Sequence, residues 1–79
     1  MEIYVGNLHP NTTKKDVYNL FIQFGKVLSI ELYSDAEGRN LGYGYLSIRE
    51  RIDGKRAIEQ LNEICFMHYF LQVHEVKNE

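Results

Sequence analysis

Residues Leu41–Ile48 read LGYGYLSI, with two tyrosines two positions apart and a glycine between them. Side chains two apart on a β-strand stand on the same face. Tyr43, Tyr45 and Ser47 therefore point one way, and Gly44, Leu46 and Ile48 the other. Leu46 and Ile48 supply the side that a strand buries, which leaves the two rings facing outward. A chain of 79 residues, 44% of them hydrophobic, makes one small domain that buries only about 60% of its extended surface. Outward-facing aromatics are expensive in such a domain, and so informative.

The rest of the chain frames this strand. Glu2–Gly6, EIYVG, reads as a first strand with Ile3 and Val5 on one face and Tyr4 on the other. Thr13 fits a helix N-cap, with Asp16 three residues on as its capping-box partner. Val17, Leu20, Phe21 and Phe24 then repeat at helical spacing, and Gly25 is expected to end the helix. Val27–Tyr33 alternates as a second strand, Ile30 and Leu32 inward, Ser29 and Glu31 outward. The polar SDAEGRN loop leads into the opening stretch as third strand. A second helix spans about Arg51–Asn62, with Gly54, Ala57, Ile58 and Leu61 on its packed face. Phe70–Val76 closes the pattern as a strand with Leu71 and Val73 inward, Gln72 and His74 outward. The order β-α-β-β-α-β places two one-striped helices over one face of a four-stranded sheet. Tyr4, Tyr43, Tyr45 and His74 share the uncovered face. The domain is assigned to residues 1–76, and 77–79 to a short polar tail.

Several functions are disfavoured. There is no nucleophile–base spacing, no paired acids and no phosphate-cradling glycine loop, so no catalytic residues are assigned. His9, His68 and His74 are too scattered for a metal site, and no cofactor is expected. No apolar run approaches the roughly 20 residues of a membrane span, and no signal-peptide pattern opens the chain. Cys65 is the sole cysteine, which excludes an internal disulfide framework and suits a reducing, cytoplasmic setting. Between Ile64 and Phe66 it reads as a packed thiol. The formal net charge of −2 argues against a protein held to nucleic acid mainly by charge.

Two stretches together resemble the RNA recognition motif family. IYVGNL, Ile3–Leu8, is similar to its six-residue motif, and LGYGYLSI to its eight-residue motif, Lys/Arg-Gly-aromatic-Gly/Ala-aromatic-aliphatic-x-aromatic. They lie about 35 residues apart, each ahead of a helix of the right pattern. DVYNLF, GKV, AIEQLN and LQV extend the likeness over essentially the whole chain. The resemblance implies an α+β, ferredoxin-like split βαβ fold with an antiparallel sheet and two helices on one face. It further implies that Tyr4 and Tyr45 are neighbouring platforms for successive bases, with Tyr43 against sugars or a further base.

The departures thin out phosphate contacts and leave the platform intact. Leu41 stands where the family prefers Lys or Arg, and Ala36 where related loops often carry a basic residue. Arg39 and Lys77 are the candidate replacements, and His74 a candidate to hydrogen-bond or stack with a base. Ile48 replaces an aromatic on the core side; Glu63 and His68 replace glycines, so the turn before the last strand is expected to differ in shape. Glu2 and Glu31 bring negative charge near the proposed RNA face. The expectation is a monomeric single-stranded RNA-binding protein, of the small bacterial kind, with single-stranded DNA as an open second ligand. The rival is a protein-interaction or self-association module. The Arg-x-Phe motif of peptide-holding relatives is absent, since residues 68–70 read His-Tyr-Phe.

Overall fold

A computed structural model describes residues 1–77. Its elements are β1 (Glu2–Gly6), α1 (Lys14–Phe21), β2 (Val27–Ser34), β3 (Asn40–Ile48), α2 (Arg51–Leu61), two short strands β4 (Cys65–Phe66) and β5 (Tyr69–Phe70), and β6 (Gln72–Glu75). The main sheet runs β2-β3-β1-β6, antiparallel at each step. That is the four-stranded, ferredoxin-like arrangement that the resemblance implies. The polar tail expected at 77–79 extends beyond Lys77, the last described residue.

Strand parity and helical spacing both become burial. Ile3 and Val5 from β1, Leu46 and Ile48 from β3, and Val73 from β6 are buried beside Leu71, beneath Val17 and Phe21 of α1 and Ala57 and Leu61 of α2. The Thr13 hydroxyl accepts from the Asp16 N–H at 3.1 Å, and the Asp16 carboxylate accepts from the Thr13 N–H at 2.9 Å. Two of the helix's orphan donors are thereby satisfied. α1 stops before Gly25, where the sequence places its end. The Ile22 N–H still reaches the Tyr18 carbonyl at 2.8 Å, but the Phe24 N–H closes onto Phe21 at 3.0 Å. The last turn thus tightens to i→i+3, and Phe24 packs against the core from outside the helix. In α2, Gly54 is buried because the Met1 side chain occupies the space a Cβ would take.

One expectation fails in the segment before β6. Cys65 is exposed rather than packed. In the β4–β5 hairpin, Phe66 takes the position against the core and the alternation turns Cys65 away. The turn itself keeps glycine-like geometry without glycine: Glu63, Met67 and His68 have φ of 68°, 51° and 71°.

Candidate nucleic-acid interface

The register of the central strands assembles the outer face of the sheet. Tyr4 lies opposite both Tyr45 of β3 and His74 of β6, and Tyr45 lies opposite Glu31 of β2. One transverse row therefore reads His74–Tyr4–Tyr45–Glu31. Tyr4 stacks on His74 with centroids 4.6 Å apart and planes at 22°, and more openly on Tyr43 at 6.3 Å and 25°. Tyr43 in turn stacks on Tyr33 at 5.3 Å and 27°. Near-parallel rings thus cross all four strands. Tyr45 stands edge-on to three of them, at 64° to Tyr4, 79° to Tyr33 and 89° to Tyr43.

The three expected tyrosines are brought together, though they are half-buried where parity alone suggests wide exposure. The rings shield one another, while the core lies on the other side of the sheet. Tyr33 is a member that the sequence reading missed. Its signal was the same alternation that turns Ser29 and Glu31 outward, carried two residues further. The β2–β3 register shifts between Leu32 and Ser34, and the ring still reaches Tyr43. The Glu31 carboxylate raises the Tyr33 phenol above its ordinary value, with smaller contributions from burial and the neighbouring tyrosines.

The basic candidates lie elsewhere. Arg39 is tied to Asp35 at 3.1 Å and Glu37 at 3.2 Å in the β2–β3 loop. It borders a hollow with Asn11 and Lys14 that shares no residue with the tyrosine face. Lys77 borders another hollow with Lys55, Ile58 and Glu59 on the side of α2. Leu41 is exposed. Asn7 fixes the turn after β1: it adopts φ 57° and its side-chain amide donates to the Phe70 carbonyl at 2.8 Å. Among the described residues, no three His, Cys, Asp or Glu side chains converge as a metal site would need, and no helix is long and apolar enough to cross a membrane.

The profile of the family described as RNA recognition motif matches residues 3–72. The chain belongs to that family. The RNA recognition motif fold also brings solved relatives into register with it. The crystal structure of RNA Binding Protein PG1 is similar with a TM-score of 0.93 and 36% identity, covering 100% of this chain and 96% of that one. Sex-lethal RNA recognition domains 1 and 2 from Drosophila melanogaster give 0.91 and 26%, covering 98% of this chain and 50% of that one. The Rna15 RRM with bound RNA (GU) gives 0.90 at 23% identity, over 98% and 83% of the two chains. In this RNA recognition motif, IYVGNL spans β1 and the turn after it, LGYGYLSI lies on β3, and the two strands are adjacent at the centre of the sheet.

Proposed function

We propose that the protein binds single-stranded RNA by stacking bases on the sheet-face rings, with Tyr4 and Tyr45 as principal platforms and Tyr43 and His74 beside them. The observation that carries this reading is the aromatic row across the central strands, on the face that neither helix covers. A rigid strand holds each ring where a flexible loop would not, and base–aromatic stacking supplies about 1–3 kcal/mol per base. Family membership and a relative at 36% identity named as an RNA-binding protein support the same reading. The protein acts as a monomer, without a cofactor or chemistry of its own, and single-stranded DNA is the secondary ligand. Arg39 and Lys77 make peripheral phosphate contacts. With two or three stacked bases, affinity for a short RNA is roughly micromolar or weaker.

The test is a titration of RNA selected from a random pool against wild type and Tyr4→Ala/Tyr45→Ala. Each single substitution should weaken binding roughly 5- to 150-fold, and the double mutant more. A folded double mutant that binds as well as wild type would exclude stacking and favour a protein-interaction surface.

A further inference from the structure

Two acidic residues stand on the face proposed to bind a polyanion, and their placement says which part of the polyanion they can meet. Glu31 is the cross-strand partner of Tyr45. Directly opposed residues on neighbouring antiparallel strands hold their Cβ atoms about 4.5–5.5 Å apart. A base lying on Tyr45 therefore has Tyr4 on one flank and Glu31 on the other. Beside them opens a hollow of about 440 Å³ lined by Glu2, Ser29, Glu31, Tyr33, Tyr45 and Val76. Tyr33 and Tyr45 meet there at 79°, so a planar ring flat on one presents its edge to the other. Among the described residues, the ion pairs engage Asp35, Glu37, Glu50, Asp53 and Glu75, and neither Glu2 nor Glu31.

An ionised carboxylate only accepts hydrogen bonds. It repels phosphate oxygens, so its use at this position is toward a base edge that donates. The four bases differ there. Guanine presents two adjacent donors, N1–H and the 2-amino group, matching both carboxylate oxygens. Adenine and cytosine present one amino group beside a ring nitrogen that accepts, and uracil one N–H between two carbonyls. We infer that Glu31 is a specificity residue that reads the edge of the base held on Tyr45 and selects guanine. The inference rests on the stacking reading and deepens it.

The experiment is calorimetric titration with single-stranded hexaribonucleotides: all uridine, and uridine with one guanosine or one inosine at each position in turn. Wild type should prefer a guanosine strand over the all-uridine strand by about 5- to 150-fold, the range of one good bidentate contact. Inosine lacks the 2-amino group and should lose much of that preference. Glu31→Ala should abolish it, weakening the guanosine strand while changing affinity for the all-uridine strand much less. A merely structural role would weaken binding to every strand alike. That result would overturn the inference, as would equal affinity for all strands or a guanosine preference that survives Glu31→Ala. Binding that is indifferent to Tyr4→Ala/Tyr45→Ala, or no binding to any strand, would remove the stacking reading itself. Tyrosine-dependent binding without base preference would remove Glu31's role alone.

Discussion

Gly44 lies between two outward tyrosines and faces the opposite layer, where it is buried. A Cβ at this position would meet the Glu31 carbonyl of β2 and, at 2.6 Å, a methyl of Leu32. Backbone of a paired strand cannot step aside as a flexible side chain can. Gly44→Ala should therefore cost about 1–3 kcal/mol by overpacking, read as a lower urea midpoint, and should disturb β2 where Glu31 and Tyr33 are held. Leu46, its buried neighbour on the same face, sets the scale for the opposite error. Leu46→Ala should lose about 2–5 kcal/mol through a cavity. Tyr45→Ala separates from both: its ring contacts other rings on an open face, worth about 1 kcal/mol of pair energy, so binding should fall far more than stability. Parity made the placement of these three residues legible from eight residues. Parity could not show how far the rings shield one another, because that depends on strands distant in sequence.

The periodic elements were legible for the same reason. Each buried stripe repeats at a period set by local backbone geometry, and the Thr13–Asp16 capping box needs only four consecutive residues. The β4–β5 hairpin was not. Its strands are two residues each, too short for alternation to show. Its loop, Met67–His68, has positive φ at both positions, as a type I′ turn requires, but carries neither the Asn nor the Gly that announces one. Register between Cys65–Phe66 and Tyr69–Phe70 holds the loop in that conformation despite its side chains. His68 is exposed, and left-handed backbone costs a non-glycine residue about 1–2 kcal/mol. His68→Gly should return part of that, raising stability by about 1 kcal/mol in thermal unfolding, less whatever glycine gains in the unfolded chain. A loss instead would show that the imidazole makes a contact that outweighs the strain. Glu63 repeats the pattern: its φ is 68°, and the Ile64 N–H returns to the Leu61 carbonyl at 3.2 Å.

At the scale of the molecule, charge is distributed against the simplest picture of an RNA binder. Arg51 holds Glu75 at 2.9 Å, joining α2 to the last strand, and that hydrogen bond lowers the Glu75 carboxyl below its ordinary value. A carboxyl depressed on folding stabilises the protein above its unfolded value of 4.5 and loses that contribution as pH falls through the folded value. Glu75→Gln should accordingly flatten the decline of Tm below that pH, and leave the neutral region little changed because the pair is solvent-screened. Positive charge is similarly spent away from the tyrosines: Arg39 is held by two acids in its loop, and Lys77 borders the hollow beside α2. The sequence made the shared face of the tyrosines legible but not these placements, since a loop arginine reads the same whether free or paired. The consequence is measurable in salt. Each phosphate neutralised on a single strand contributes about −0.7 to the slope of log K against log salt. Two or three such contacts, some competing with existing ion pairs, give a slope of roughly −1.5 to −2. Stacking is insensitive to salt, so most of the binding free energy should survive a rise from low to physiological ionic strength. A slope near −5 would require about seven neutralised phosphates. Arg39 and Lys77 cannot supply that number, so binding would then have to centre on the Lys and Arg residues of the helices, and the tyrosine face would lose its place as the principal site.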